Sequence, residues 1–295
     1  MRARVCLLLL IALVGVGCAQ PASNTVALPV KRPGKYIETV PVGSLSRKFI
    51  LRVPKAYDAT KPLPLVVLLH GWTSTAARME QYTKFAQKAE AEGFILAVPE
   101  GLGDSQGWNV GWIDLSFKKP DDVGFMTALL DQVEKEVGVD RSRVYFAGHS
   151  NGAMLAQLVG SKLGKRVAAV ASVAGTVGLP GLSGKPPQTI PDPDNPVSVI
   201  LLHGKKDVMV AYASDLQALL VGFGAKDTAK WWAKRIGAST EPKITNAGDM
   251  TTESFTGGRD GTEVVLVSFE EGTHDWPSTA TDMIWEFFKA HPKKA

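Results

Sequence analysis

Six short, predominantly apolar runs divide the chain: Leu65–Leu69, Phe94–Val98, Val144–Ala147, Val167–Val173, Val199–Leu202 and Val264–Phe269. Strands apolar on both faces are what a parallel sheet covered by helices requires. Between the runs lie segments with helical spacing, at Ala76–Glu92, Asp122–Val137, Asn151–Leu163, Thr228–Ile236 and Thr279–Lys289. This alternation predicts an α/β fold with a mostly parallel central sheet, helices on both faces and right-handed crossovers. Two shorter strands are expected ahead of it, Ile37–Val42 and Arg47–Val53, joined at a Gly43-Ser44 turn. The Pro/Gly-rich stretch Gly178–Pro196 exceeds an ordinary connection. Its prolines keep it from forming a helix, so it is expected as an extended rim, and the fold as one without a large lid.

Composition narrows the class further. With 45% hydrophobic residues and 21% charged in 295 residues, the chain can bury a sizeable core and is not a disordered or collagenous protein. Two cysteines exclude a disulfide-stapled scaffold and a Cys-rich zinc site, and no metal or cofactor is expected. The net charge of +4 is thinly spread, without a run of five basic residues, so nucleic acid is not an expected partner.

The first residues read as an export signal. Arg2 and Arg4 supply the positive start and Val5–Val16 an apolar run. About 12 apolar residues are too few for a bilayer, which needs roughly 20. Two endings compete. Cys18 stands where a lipoprotein signal (residues 1–17) would leave an acylated cysteine, although Gly15 departs from the usual Leu; cleavage behind Ala19 would instead remove residues 1–19. Lipid on Cys18 would be the one route to a membrane, and a single chain holds only marginally. The expected location is periplasmic, extracellular or lipid-anchored at the cell envelope. Residues 20–36 are expected as a flexible tether and 37–295 as one catalytic domain.

The chemistry centres on Gly148-His149-Ser150-Asn151-Gly152. G-x-S-x-G is short enough to occur by chance, but here it follows an apolar strand and opens a helix. On such a turn Ser150 Oγ stands exposed at the sheet's carboxyl edge, beside the positive end of the helix. A serine hydroxyl needs a base to take its proton and an acid to orient that base. Where a serine elbow stands on a sheet of this kind, they follow in chain order Ser, Asp or Glu, His.

Past Ser150 the histidines are His203, His274 and His291. His291 lies in the polar tail. His274 follows the last strand and precedes the last helix, which makes it the expected base. Asp207, on the loop just past Val199–Leu202, is the expected acid. Asp275 is the rival, disfavoured because adjacent side chains rarely converge. Backbone N–H groups of Asn151 and of Trp72, in the loop after Leu65–Leu69, are the expected oxyanion donors. His70 and His149 are expected to pack and bond locally, and Asp121 and Asp122 to cap the helix they precede.

Val53–Tyr57, Pro62–Gly71, Asp121–Phe125, Gly148–Gly152, His203-Gly204 with Asp207, and His274 with Trp276-Pro277 occur in this order. Together they resemble the secreted poly(3-hydroxybutyrate) depolymerase and feruloyl esterase-like branch of the α/β-hydrolases, related to carbohydrate esterase family one. The resemblance runs from about residue 37 to 290. It implies a serine esterase with Ser150, Asp207 and His274 as triad and the Asn151 and Trp72 amides as oxyanion hole. Trp72 stands where the family often has a smaller residue, which would narrow the acyl side. Trp108-Asn109 corresponds to the family's mouth-lining loop, so Trp108, Asn109 and Trp276, with Trp112, are the candidate substrate contacts.

Three classes are therefore carried forward. The first is an exported carboxylic ester hydrolase on feruloyl or acetyl esters of polysaccharide, or on short hydroxyalkanoate esters of a polyester. The second is a serine peptidase of the same fold, and the third a non-catalytic carbohydrate-binding protein on a hydrolase scaffold.

Overall fold

The computed structural model describes residues 31–179, 186–213 and 222–294. The expected signal segment, Cys18 and residues 20–30 of the expected tether lie outside them, as does the middle of the 178–196 excursion. The strands are β1 Gly34–Val42, β2 Leu45–Val53, β3 Leu63–Leu69, β4 Ile95–Pro99, β5 Val139–His149 and β6 Ala169–Val173. They continue with β7 Gly178–Leu179, β8 Gln188–Thr189, β9 Ser198–Gly204, β10 Lys243–Ala247, β11 Met250–Phe255 and β12 Val264–Phe269. The helices are α1 Ala76–Thr83, α2 Phe85–Glu92, α3 Asp122–Glu136, α4 Asn151–Lys162, α5 Ala225–Ile236 and α6 Ala280–Ala290.

Ten strands form one sheet in the order β1-β2-β4-β3-β5-β6-β9-β12-β11-β10. The stretch from β4 to β12 is parallel and comprises the six apolar runs; the hairpins β1–β2 and β10–β11 close the two edges in antiparallel fashion. Successive residues point to opposite faces. Leu65, Val67 and Leu69 of β3 thus join one core with α3, α4 and α5, whereas Val66 and Leu68 join the other with α1, α2 and α6. The helical segment expected at Ala76–Glu92 is two helices, because Lys84 adopts a left-handed conformation (φ 58°) that ends α1 and redirects the chain into α2.

β1 begins inside the segment expected as tether. Its register with β2 is unbroken from Gly34↔Val53 to Val42↔Leu45, with Gly43 (φ 58°) turning the two-residue loop. Just before it, the Lys31 amide donates to Glu136 O (3.0 Å) and its ammonium pairs with Glu38 and Glu136. The domain therefore starts by residue 31.

β10 and β11 escape the sequence pattern for a physical reason. Every residue of β10 is exposed, and in β11 only Glu253 and Phe255 are buried. With one face in water and the other half-covered, neither strand needs an apolar run. The Gly248-Asp249 loop, with Gly248 at φ 61°, is the signal that marks the hairpin.

Asp121 caps α3 through Oδ1 and the Gly124 amide (2.8 Å), as expected, but Asp122 does something else. Its carboxylate is buried against Arg47 of β2, with Nη2 to Oδ1 at 2.8 Å and both side chains almost fully out of solvent. Arg47 also lies over the Phe125 ring, 4.2 Å from its centroid. A charge inside an apolar core survives only when paired, so this couple clamps the start of α3 to the edge of the sheet.

Candidate active site

β5 ends at His149, α4 starts at Asn151, and Ser150 between them has φ 54° and ψ −121°. A non-glycine residue in this region is strained and must be held by its surroundings. The surroundings are two glycines. A Cβ on Gly148 would sit 2.3 Å from the Gly152 carbonyl oxygen, and one on Gly152 2.4 Å from the carbonyl oxygens of Leu69 and His70. Only glycine lets strand β3, the turn and α4 come this close. The Ser150 amide donates to Val173 O of β6 (2.9 Å), which pins the turn from the other side.

His274 lies in the connection between β12 and α6. Its Nε2 is 2.9 Å from Ser150 Oγ and its Nδ1 2.8 Å from Asp207 Oδ2. An ionised carboxylate only accepts, so Nδ1 carries the proton and Nε2 is left to accept the serine's. Asp207 Oδ1 accepts the Met209 and Val210 amides (2.8 and 2.9 Å), and Oδ2 also meets His203 Nε2 at 3.2 Å. Burial alone would raise this carboxyl's pKa; the bonds from His203, His274 and Val210 outweigh it and hold the group far below the usual carboxylate range. The chain-order argument thus brings Ser150, Asp207 and His274 into one hydrogen-bonded line. Asp275 is not in it: its Oδ2 accepts the Thr273 hydroxyl (2.5 Å).

His203, without an assigned role on sequence grounds, is a second support of Asp207. Its Nε2 faces two acceptors, Asp207 Oδ2 and Val210 O (3.0 Å), and so must be the protonated nitrogen. The spacing His203-x-x-x-Asp207 contains the signal, but only the turn after β9 shows that the ring folds back onto the carboxylate.

His149 and His70 bind backbone. His149 Nε2–H donates to the carbonyl of His274 (2.9 Å), so the elbow and the His274 loop are tied directly. Tyr82 holds the same loop one step on, its hydroxyl accepting the Trp276 amide (2.6 Å). His70 Nδ1–H donates to Gly71 O and its Nε2 accepts the Gly101 amide, both at 2.9 Å. Burial pushes both imidazoles down to about 4, and for His149 the neighbouring His274 adds to the shift. These groups fold neutral, whereas in the unfolded chain they protonate near pH 6.5. Between those values the unfolded state binds more protons, so stability is complete above about pH 6.5 and is lost as pH falls toward 4. The loss is on the order of 3 kcal/mol per histidine at the acid end. Unfolding free energies measured from pH 7 to pH 4 should fall accordingly; a flat profile contradicts the assignment.

An apolar cavity of about 170 Å³ opens in front of Ser150. Trp72, Asn151 and His274 line it with Ser150, and Ile113, Leu115, Met154, Met209 and Val210 supply the rest of the wall. Gly71 lies against the elbow, where a Cβ would be 3.3 Å from the Ser150 Cβ. Asn151 and Trp72 thus both border the space in which the hydroxyl stands.

The four expected substrate contacts are elsewhere. Trp108 has no exposed surface: its indole N–H donates to His70 O (2.8 Å), its amide donates to Asn151 Oδ1 (2.8 Å), and its carbonyl accepts from Asn151 Nδ2 (3.3 Å). It ties the loop after β3 to the start of α4 from within the core. Asn109 donates through its side-chain amide to Pro120 O and through its backbone to Asp122 Oδ2. Trp276 is buried against Phe85, with its indole N–H on the Thr281 hydroxyl. Trp112 packs on the core. From the loop that carries Trp108, it is Ile113 and Leu115 that reach the cavity.

Residues 48–181 match the family model described as Esterase PHB depolymerase. Feruloyl esterase B of Piromyces equi is 28% identical over 250 residues, 82% of this chain but 45% of that protein, so the chain spans less than half of this relative. A probable feruloyl esterase C of Aspergillus niger is 25% identical over 256 residues, 83% of this chain and 84% of the relative. Among solved structures, the acetyl xylan esterase from Aspergillus awamori superposes with a TM-score of 0.61 at 18% identity, over 82% of this chain and 94% of that one; at this identity the likeness concerns the fold. With its mostly parallel sheet and its serine elbow the chain has the α/β-hydrolase fold, and in sequence it is similar to the poly(3-hydroxybutyrate) depolymerase and feruloyl esterase-like branch of that superfamily.

Proposed function

We propose that the chain is a serine carboxylic ester hydrolase that works through an acyl-enzyme. The observation that carries the reading is the unbroken line from Ser150 Oγ through His274 to Asp207 at the mouth of an apolar cavity. Ser150 Oγ attacks the ester carbonyl carbon while its proton passes to His274 Nε2. The carbonyl oxygen takes the electron pair and is held by the Asn151 and Trp72 amides. When the tetrahedral adduct collapses, the C–O bond to the alcohol breaks, the alcohol leaves with the proton from His274, and the acyl group stays on Ser150. Water then gives a proton to His274 and attacks the acyl carbon; when this second adduct collapses, the acyl–Oγ bond breaks, Ser150 Oγ takes its proton back from His274, and the acid is released. Asp207, ionised throughout, keeps His274 in the tautomer both halves need.

The relatives' names support feruloyl esters, such as those borne by polysaccharide, as the substrate class, and the family model's description supports short hydroxyalkanoate esters. Export is part of the same proposal. It is supported by Arg2, Arg4 and the apolar run Val5–Val16, and the mass of the mature amino terminus decides between an acylated Cys18 and a chain starting at Gln20.

The purified protein should hydrolyse 4-nitrophenyl butanoate and leave the matching 4-nitroanilide intact, and a fluorophosphonate should label Ser150 and stop turnover. Faster cleavage of the anilide would make the protein a peptidase. Sugar binding without turnover or labelling would make it a non-catalytic scaffold.

A further inference from the structure

We infer that His149 and Tyr82 form a two-point clamp on the backbone of His274-Asp275-Trp276, and that this clamp, acting through His274, sets the reach of the base to Ser150; the inference rests on the esterase reading above. Asp207 holds the His274 ring at Nδ1 alone. A ring held at one nitrogen can still pivot, so where Nε2 lies depends on where its backbone is fixed. That backbone belongs to the connection between β12 and α6, which is neither helix nor strand from Glu270 to Thr279. Thr273 to Trp276 take part in no backbone–backbone hydrogen bond among the described residues, and the two bonds their backbone does make go to side chains. The His274 carbonyl accepts from His149 Nε2 (2.9 Å), and the Trp276 amide donates to the Tyr82 hydroxyl (2.6 Å).

Both clamping residues come from elements that already define the site. His149 is the last residue of β5 and precedes Ser150, so the nucleophile and the carbonyl of the base hang on one strand end. Tyr82 belongs to α1, and its ring meets the His149 ring edge-on, with centroids 5.9 Å apart. The His149 and His274 rings are 5.1 Å apart. A cation at 149 would therefore oppose the imidazolium that His274 becomes when it takes the serine proton. Burial keeps His149 neutral at neutral pH, which makes it a donor without a charge. Neither residue lines the cavity in front of Ser150, so the clamp acts on the base and not on the bound ester.

A misplacement of about 1 Å at a reacting group can cost on the order of a hundredfold in rate. His149→Leu, which removes the donor, should lower kcat on 4-nitrophenyl butanoate by about a hundredfold, and Tyr82→Phe, which removes one hydroxyl, by about tenfold. Both halves of the reaction use His274, so KM should stay within about twofold. His149→Gln carries an amide N–H to the place of Nε2 and should restore kcat to within about threefold of the wild type. The deciding measurement repeats His149→Leu and Tyr82→Phe in a His274→Ala background. With no base to position, neither should change the residual hydrolysis by more than about twofold. Equal losses with and without His274 would mean a merely structural role and overturn the clamp. A wild-type kcat in either single variant, or a glutamine variant no faster than the leucine one, overturns it as well. Should His149→Leu not fold, Tyr82→Phe decides alone, because it deletes a single hydroxyl on a half-exposed side chain. In each of these cases wild-type turnover and fluorophosphonate labelling of Ser150 leave the esterase reading standing. A wild type without turnover on any ester overturns both.

Discussion

Ser150→Ala should give a folded protein whose kcat on 4-nitrophenyl butanoate is lower by about a million-fold, the scale seen when a triad serine is removed from a protease. The expectation separates chemistry from structure because the alanine keeps the Cβ and loses only Oγ. Its backbone must still adopt φ 54° and ψ −121°, which alanine tolerates no worse than serine. The restraints on that conformation are the glycine contacts at 148 and 152 and the amide bond to Val173, and none of them involves the hydroxyl. Circular dichroism and the thermal midpoint should therefore match the wild type. Residual hydrolysis would come from Asn151, Trp72 and the cavity, which still bind and polarise an ester without attacking it. An alanine variant with a tenth of the wild-type rate would mean that another nucleophile does the work.

The parts of this arrangement legible in the sequence are those that rest on local chemistry. An apolar run running into Gly-x-Ser-x-Gly admits few shapes, since two glycines at that spacing serve a close approach of backbone, and the contacts of Gly148 and Gly152 show how close. Asp207 and His274 follow from topology: each stands just past a central parallel strand, β9 or β12, and parallel strands bring such loops to one edge. What stayed illegible depends on where a loop side chain points. Residues 100–121 have no period, so their aromatic residues look like a mouth. The core claims Trp108 instead, because its indole and backbone satisfy the carbonyl of His70 and the amide of Asn151. Arg47 carries no signal of its burial either. In a strand of mixed polarity an arginine reads as solvent-facing, and its partner Asp122 is 75 residues distant, beyond any local pattern. The edge hairpin β10–β11 was hidden by its polarity, which an exposed edge permits.

Asp207→Asn should lower kcat at neutral pH by about ten thousand-fold while keeping the fold, the loss found when a triad acid is made an amide in a protease. The bonds around Asp207 explain why the amide is forced into the harmful orientation. Oδ1 accepts two backbone amides, from Met209 and Val210, and Oδ2 faces His274 Nδ1 and His203 Nε2. An asparagine that kept its oxygen toward the two amides would turn its NH₂ toward the histidines. His203 would then rest on Val210 O alone. His274 Nδ1 would have to accept rather than donate, so its proton would move to Nε2. That is the nitrogen 2.9 Å from Ser150 Oγ, and with a proton on it the imidazole cannot take the serine's. Flipping the amide restores an acceptor to His274 but sets the NH₂ against two backbone donors, leaving three buried N–H groups in conflict. Asp275→Asn should be nearly silent by comparison, because that carboxylate is bonded to Thr273 and not to the imidazole. Were Asp275→Asn inactive and Asp207→Asn close to normal, the acid of the site would be Asp275, and the depressed Asp207 carboxylate would be only the structural anchor of the turn after β9.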